Sequence, residues 1–163
     1  MIIIAAGSNL PFCGIDSQQI VSNAFKALGR ISQLKRVSHF YRTPAWPDPA
    51  DPPFVNAAAE IETGMGPDAL LAALHAIEAG FGRRRSERNA PRTLDLDLIA
   101  YHDLQREEGA PGGLVVPHPR HEARAFVLVP LAEIAPDWRH PVTGETAREL
   151  AGRADAANVV KIS

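Results

Sequence analysis

The stretch Pro91-Arg92-Thr93-Leu94-Asp95-Leu96-Asp97-Leu98-Ile99 decides the fold, because it holds the clearest strand pattern in the chain. Side chains alternate between the two faces of a strand. The leucines therefore point to one face, and Asp95 and Asp97 point to the other. We predict a half-buried strand over Leu94–Tyr101, with its two carboxylates about 6.6 Å apart at Cα.

The elements around this strand follow the order βαββαβ. Short apolar or alternating runs predict strands, and apolar residues three or four positions apart predict helices. The strands are predicted at Ile2–Ala6, Leu34–Arg42 and Phe54–Glu62, and the helices at Asp16–Ile31 and Asp68–Phe81. Gly7-Ser8-Asn9 is predicted to be the turn that closes the first strand. This order is typical of a ferredoxin-like α+β fold, an antiparallel sheet with helices on one face.

The rest of the chain is predicted to add C-terminal elements and two long loops to this core. Helices are predicted at Ala125–Ile134 and Thr146–Gly152, and an edge strand at Asn158–Ile162. Five prolines make Thr43–Pro53 a loop, and a second loop, rich in arginine, follows Gly82. Long loops on a compact domain often act as lids over a functional site.

The composition is that of one globular domain spanning residues 1–163, with 45% hydrophobic residues and a net charge of −2. That charge argues against a generic binder of nucleic acid or acidic membranes. No apolar run is long enough to span a bilayer, and the opening residues lack the positive flank of a signal peptide. Cys13 is the only cysteine and cannot form an internal disulfide. These features predict a cytoplasmic protein.

The paired carboxylates of Asp95 and Asp97 are candidate metal ligands. Their spacing suits two hard cations roughly 3.5–4 Å apart. The alternative is a solvated face of an amphipathic strand, with the aspartates blocking edge-to-edge association. The adjoining arginines favour the metal interpretation over that alternative.

Five of the 17 basic residues fall within ten positions, and all five are arginine, whose planar fork matches phosphate oxygens. They are Arg83, Arg84, Arg85, Arg88 and Arg92. Carboxylates beside such a cluster can hold a magnesium–polyphosphate. The alternatives are a solubilising loop or an RNA-binding patch, but the loop has no aromatic residue on which a base could stack.

Two of these arginines are predicted to differ in mobility. Arg92 lies between Pro91 and the strand, so its backbone is constrained on both sides. Arg83 follows Gly82 at the end of a helix and opens the flexible loop. We expect Arg92 to be held rigidly and Arg83 to swing in when the loop closes.

A scattered set of polar and aromatic residues could bind a flat heterocycle. Asn56 offers a donor and an acceptor, and Phe54 and Phe126 could stack on a ring. His75 and Glu78 lie three residues apart and could equally be an exposed helix pair. The His118-Pro119-Arg120-His121 segment is a weak zinc motif and is better interpreted as a polar loop over a nucleotide. The chain lacks the P-loop and protein-kinase motifs.

Taken together, these residues resemble the 6-hydroxymethyl-7,8-dihydropterin pyrophosphokinase family of folate biosynthesis. The resemblance runs nearly from end to end, and the block from Pro91 to Asp97 is its most specific part. The other motifs are Ala6-Gly7-Ser8-Asn9-Leu10, Phe40-Tyr41-Arg42-Thr43-Pro44, Phe54-Val55-Asn56-Ala57-Ala58, Gly82-Arg83-x-Arg85, Val116-Pro117-His118-Pro119 and Arg124-Ala125-Phe126-Val127-Leu128.

The resemblance implies a transferase that moves pyrophosphate from ATP to the hydroxymethyl group of the reduced pterin and releases AMP. It implies two magnesium ions bound by Asp95 and Asp97, with ATP as co-substrate. It implies ATP contacts at His75, Glu78, Arg85, Arg88, Arg92, Leu98, Val115, His118 and Arg124. It implies a pterin site of Thr43, Pro44, Trp46, Phe54, Asn56, Asp95 and Phe126. The implied partners are these small molecules, without nucleic acid or membrane, and the implied state is a monomer.

Arg83 and Arg92 are also implied to act in catalysis. Asp97 is a third candidate catalytic residue, because it could accept the proton of the attacking hydroxyl. Magnesium could instead acidify that hydroxyl enough to need no base. The sequence leaves both routes open.

The chain departs from the family pattern at a few positions. Asn89 stands where many members have tryptophan, and the arginine loop is one residue shorter than in some relatives. Pro119 stands where some have an aromatic residue, Trp46 where an aliphatic one is frequent, and Phe54 keeps the ring of a tyrosine without its hydroxyl. None of these changes touches the metal and phosphate residues.

Two rival functions fit parts of the pattern. A ferredoxin-like RNA-binding module would bind RNA without magnesium and with strong dependence on salt. Another magnesium-dependent phosphoryl-transfer enzyme would use the same carboxylates and would need no pterin acceptor. Release of AMP only when ATP, magnesium and the pterin are all present distinguishes the three functions.

Overall fold

A computed structural model describes residues 1–84 and 90–163 and contains an antiparallel sheet with helices on both faces. The strands are β1 Ile2–Ser8, β2 Gln33–Val37, β3 Tyr41–Thr43, β4 Phe54–Glu62, β5 Asp95–Tyr101 and β6 Val160–Lys161. The helices are α1 Ser17–Leu28, α2 Pro67–Gly80, α3 Ala125–Ile134 and α4 Ala147–Arg153, with a short 3-10 helix at His121–Ala123. The predicted mixture of helices with an antiparallel sheet is confirmed.

The strands lie in the order β5-β1-β4-β3-β6, with β2 also pairing with β4, and the pairings among the described strands are antiparallel. The predicted turn at Gly7-Ser8-Asn9 is wrong in part, because Gly7 and Ser8 continue β1 and pair with Asn56 and Val55. Pairing on both sides keeps Gly7 extended, which a sequence pattern cannot reveal.

The single strand predicted at Leu34–Arg42 is also wrong, because the chain breaks between β2 and β3. At the break, the Ser38 hydroxyl accepts the backbone N–H of Ala58 at 2.9 Å. A strand carbonyl would otherwise accept that N–H, so the side chain replaces one ladder hydrogen bond and allows the chain to bend.

Different helices pack on the two faces of the sheet. Ile2, Ile4 and Ala6 of β1 join the apolar core formed with α1 and α2. The alternate residues Ile3 and Ala5 pack on the opposite side with α3 and α4. The predicted two-helix layer is therefore α1 and α2, and the C-terminal addition covers the other face.

Local sequence features fix the helix ends close to their predicted positions. Asp16 caps α1 by accepting the Gln19 N–H at 2.9 Å. Thr146 and Glu149 form a reciprocal capping box at the start of α4. Helix α3 runs unbroken through Pro130. Across the described part of the chain, no helix combines the length and apolarity needed to cross a membrane.

Candidate active site

The floor of the site is a row of residues that runs across three strands. Strand register places Gly7 of β1 between Asp95 of β5 and Asn56 of β4. Gly7 leaves this row open, because a Cβ there would lie only 3.0 Å from the Asn56 side-chain oxygen. In the next row, Ala5 separates Asp97 from Ala58. Small residues thus keep the sheet surface accessible between the polar groups.

A cavity of about 500 Å³ lies over this floor. It brings together most of the residues predicted from the sequence, in one space at one face of the sheet. Those residues are Thr43, Pro44, Trp46, Phe54, Asn56, Arg92, Asp95, Asp97, Arg124 and Phe126. The predicted placement of the aspartates opposite the strand leucines is confirmed, since Leu94, Leu96 and Leu98 lie in the core with α1 and α2.

Four residues of the cavity lining carry aromatic rings or neutral polar groups, and we call this set the ring end: Thr43, Phe54, Asn56 and Phe126. The Asn56 amide donates to the Thr43 hydroxyl at 2.8 Å, and both residues are buried. The Arg92 guanidinium lies 5.8 Å from the centre of the Phe54 ring. The pair of aromatic rings and the fixed amide can bind a flat, polar heterocycle. At the cavity wall, the Trp46 side chain stays exposed.

The other end, the acidic end, is formed by Asp95, Asp97 and Arg92, and Arg83 joins it through its ion pair with Asp95. Arg83 donates to one oxygen of Asp95 at 2.5 Å, and Arg92 donates to the other at 2.9 Å. Burial alone would raise the pKa of Asp95, but these two guanidiniums outweigh it and hold that pKa below its ordinary value. Arg83 therefore lies at the carboxylate in this structure, and its swing on loop closure stays a prediction.

The pKa of Asp97 shifts in the opposite direction to that of Asp95. Partial burial, followed by the negative charges of Asp95 and Glu78, raises the pKa of Asp97 to about 7. The His118 ring nitrogen Nε2 lies 3.8 Å from an Asp97 oxygen. Burial, followed by nearby positive charge from His121 and Arg124, lowers the pKa of His118 to about 4. The His118 ring is thus neutral at pH 7 and does not neutralise Asp97.

Glu78 and His75 lie on α2 but in different surroundings. Glu78 is buried and accepts hydrogen bonds from Arg83 at 2.5 Å and from the Leu96 backbone N–H at 3.0 Å. The alternative of an exposed pair is therefore wrong for Glu78, which links α2 to β5 and to Arg83. His75 is exposed and borders a second cavity, of about 410 Å³, together with Asp68 and Gly112.

The remaining predicted nucleotide residues are spread more widely. Leu98 is part of the core, and Val115 is half-buried between the buried Leu114 and Val116. Neither residue borders the main cavity. Arg85 and Arg88, together with the divergent Asn89, lie outside the described residues.

Sequence reasoning missed Asn9, which is buried beside the acidic end. Its side-chain oxygen accepts the Arg92 N–H at 2.8 Å, and its amide donates to the Pro52 carbonyl at 3.1 Å. The backbone N–H groups of Asn9 and Leu10 both donate to the Arg92 carbonyl. Asn9 thus connects Arg92 to the proline-rich loop, and its hydrogen bonds add to the backbone constraint predicted for Arg92.

The C-terminal segment also reaches the cavity, through Asp155, Asn158 and Val159. The only sequence signal there was a short predicted edge strand, which the structure places at β6, paired with β3. That pairing brings the C-terminal residues to the ring end.

A comparison with protein families identifies this site. The model of the 7,8-dihydro-6-hydroxymethylpterin-pyrophosphokinase (HPPK) family matches residues 3–136, which include both ends of the cavity. The chain belongs to the HPPK family. Residues beyond 136, including α4 and β6, lie outside that match.

Individual relatives agree with the HPPK assignment. A 2-amino-4-hydroxy-6-hydroxymethyldihydropteridine pyrophosphokinase of Methylorubrum extorquens is 37% identical over 161 residues, covering 98% of this chain and 96% of the relative. The enzyme of that name from Synechocystis is 45% identical over 127 residues. That match covers 78% of this chain and 63% of the relative, so the chain spans less than two thirds of it.

Solved structures show the same fold. Wild-type Plasmodium falciparum HPPK-DHPS superposes with a TM-score of 0.68 at 12% identity. The superposition covers 93% of this chain and 44% of the longer Plasmodium chain. At that identity the likeness supports the HPPK fold and carries nothing about individual side chains.

The acidic end of this HPPK-family chain suits magnesium. Mg²⁺ prefers oxygen ligands and is often held by one or two carboxylates together with substrate phosphates. Asp95 and Asp97 supply the carboxylates. The negative charges of Asp95 and Glu78 raise the pKa of Asp97, and a bound cation would offset that repulsion. Among residues 1–84 and 90–163, no cluster of three or more His, Cys, Asp or Glu could hold a metal alone. Water and substrate oxygens would complete the coordination of a magnesium ion held by these two carboxylates.

Proposed function

We propose that this chain transfers pyrophosphate from ATP to the hydroxymethyl group of 6-hydroxymethyl-7,8-dihydropterin and releases AMP, a step of folate biosynthesis. The observation that carries the proposal is the cavity of about 500 Å³, whose lining combines aromatic rings and an amide with carboxylates and arginines. The family membership and the full-length relative in Methylorubrum support the same reaction.

The ring end would hold the pterin. Phe54 and Phe126 would stack on the flat ring, with Trp46 and Pro44 at its border. Asn56 would hydrogen-bond to the heterocycle edge, with its amide already oriented by the buried Thr43 hydroxyl. The hydroxymethyl group would then project along the row toward Asp95.

The acidic end would hold the triphosphate. Asp95 and Asp97 would hold two magnesium ions, whose charge would offset that of the phosphates and lower the pKa of the attacking hydroxyl. Arg83 and Arg92, which now pair with Asp95, would contact the phosphates, where their charge stabilises the transition state. Asp97 is the candidate acceptor of the hydroxyl proton.

The remaining nucleotide contacts are proposed for His75, Glu78, Leu98, Val115, His118 and Arg124, with Arg85 and Arg88 from the loop. Arg124 borders the cavity and His118 adjoins Asp97, which supports both assignments. Glu78 would act indirectly, because its carboxylate is occupied by Arg83 and the Leu96 N–H.

The proposal also covers the topology of the core, the oligomeric state and the cellular location. The strand order β5-β1-β4-β3 supports a ferredoxin-like core to which α3, α4 and β6 are added. We expect a cytoplasmic monomer whose partners are its small-molecule substrates. Light scattering at several protein concentrations tests the monomer.

The decisive experiment incubates the protein with ATP, magnesium and the reduced pterin, and measures AMP and pterin diphosphate. Equal amounts of both products, formed only in the complete mixture, are expected. Release of phosphate or AMP without the pterin would instead show a hydrolase. Magnesium-independent binding of RNA without turnover would show the binding module.

A further inference from the structure

Three aromatic side chains form a buried cluster behind the acidic end. We call His121, Trp138 and His140 the aromatic cluster. The His121 and His140 rings are stacked, with centres 5.2 Å apart and planes 18° apart. Trp138 meets both rings edge-on, at 6.0 and 5.9 Å. Each member is at most 8% exposed, so none of the three is available to bind a ligand directly.

His121 connects this cluster to His118. The His121 backbone N–H donates to the His118 carbonyl at 3.3 Å, and its ring nitrogen Nδ1 bonds to the same carbonyl. Because a carbonyl only accepts, Nδ1 carries the proton. The other side of His118 is held by its own N–H, which donates to the Ile99 carbonyl of β5 at 3.0 Å.

The orientation of the His121 ring is set by residues that lie past the family match. That match ends at residue 136, before Trp138 and His140. The His140 ring accepts the N–H groups of Val142 and Thr143, both at 3.2 Å, which fixes its plane. A ring stacked on a fixed ring loses freedom to rotate.

We propose that His121 is a positioning residue, through which the aromatic cluster holds His118 at the nucleotide end of the site. The proposal rests on the proposed function, because it assigns His118 to the bound nucleotide. The His121 side chain contributes through one hydrogen bond to the backbone carbonyl of His118. The loop carrying His118 is thereby oriented before the nucleotide arrives, and binding costs less conformational entropy.

Three variants separate this role from simple packing. His121→Leu removes the donor and keeps most of the volume. His121→Asn keeps an N–H near the position of Nδ1, whereas His121→Gln places its N–H farther out, near the position of Nε2. Leu150→Ala serves as the packing control, because Leu150 is buried in the same apolar layer and belongs to α4.

Calorimetry with magnesium and the uncleavable α,β-methylene analogue of ATP measures nucleotide affinity, and separate titration with the reduced pterin measures pterin affinity. His121→Leu should raise the nucleotide Kd about three- to tenfold, the range that one net hydrogen bond represents. The pterin Kd should stay within about twofold, and His121→Asn should restore nucleotide affinity. Nuclear magnetic resonance of the His118 ring should shift in His121→Leu and return in His121→Asn.

The control should lower the melting temperature without changing nucleotide affinity. Unchanged nucleotide affinity in His121→Leu, or an equal loss for both ligands, would overturn the proposal. So would a loss in Leu150→Ala as large as in His121→Leu. If His121→Leu does not fold, the comparison of His121→Asn with His121→Gln tests the proposal instead. Equal nucleotide affinities in these two variants would refute the positioning role of His121. Absence of turnover in the unaltered protein would refute the proposed function alone, because the binding comparison needs no turnover.

Discussion

The ring end and the acidic end of the cavity differ in how their polar groups are satisfied. At the ring end, Asn56 and Thr43 are neutral, buried and hydrogen-bonded to each other. At the acidic end, two arginines are occupied by Asp95, while at Asp97 burial and the charges of Asp95 and Glu78 outweigh those of Arg83 and Arg124. The ring end is therefore organised for its ligand, whereas the acidic end has to exchange ion pairs when a metal–triphosphate binds.

The largest effect is expected from removing either carboxylate charge at the acidic end. Asp97→Asn and Asp95→Asn should each lower turnover on the order of a thousandfold, because each replaces a charged magnesium ligand by a neutral, weaker one. Steady-state release of AMP at saturating magnesium measures this. Asp103→Asn, an exposed site just past β5, should keep full activity. Turnover above about one tenth of normal in Asp97→Asn would contradict the two-metal proposal.

The next largest effect is expected from the arginines that now neutralise Asp95. Arg92→Ala and Arg83→Ala should slow the chemical step about a hundredfold or more, with a much smaller change in ATP affinity, if they act mainly in the transition state. Rapid-quench single-turnover kinetics and separately measured dissociation constants distinguish rate from binding. Loss of affinity in proportion to rate would make them substrate clamps. The exposed Arg148 offers a control substitution to alanine.

A smaller effect, confined to one ligand, is expected at the ring end. Asn56→Ala removes a preset amide and leaves the Thr43 hydroxyl without its partner, so pterin affinity should fall roughly tenfold. Nucleotide affinity in the absence of pterin should not change. Calorimetric titration of each ligand separately checks this. An equal loss of ATP affinity in Asn56→Ala would show that the ring end and the acidic end do not bind their ligands independently. The contrast drawn between the two ends would then be wrong.

The carboxylate face could be predicted from sequence because its information is local, whereas the ring-end residues are scattered from Thr43 to Phe126 and are grouped through the family resemblance. The period of two in Leu94–Asp97 places the aspartates opposite the core, and the structure keeps them there. Asn9 could not be predicted, because its partner Arg92 lies 83 residues away and depends on strand pairing. The broken strand at Ser38 likewise depends on Ala58 of a neighbouring strand.

The smallest expected effect is on stability, and it has opposite signs at the two aspartates. Asp95→Asn should destabilise the ligand-free protein, because Arg83 and Arg92 lose their charge partner. Asp97→Asn should stabilise it by about 1 kcal/mol, because it removes a repelled charge whose side chain is 34% exposed and therefore partly screened. Chemical denaturation without magnesium measures both variants against the unaltered protein.

The Asp97 effect should also depend on pH in a defined direction. The pKa of Asp97 is raised from 3.8 to about 7, so in this interval the folded protein keeps a proton that the unfolded chain releases. The unaltered protein therefore loses stability as pH rises through the interval, and Asp97→Asn does not. Its advantage should be absent near pH 3.8, grow toward pH 7 and stay constant above it. A constant difference across that range, or a destabilised Asp97→Asn protein, would show that Asp97 is compensated in the folded state and that the two carboxylates do not differ as inferred.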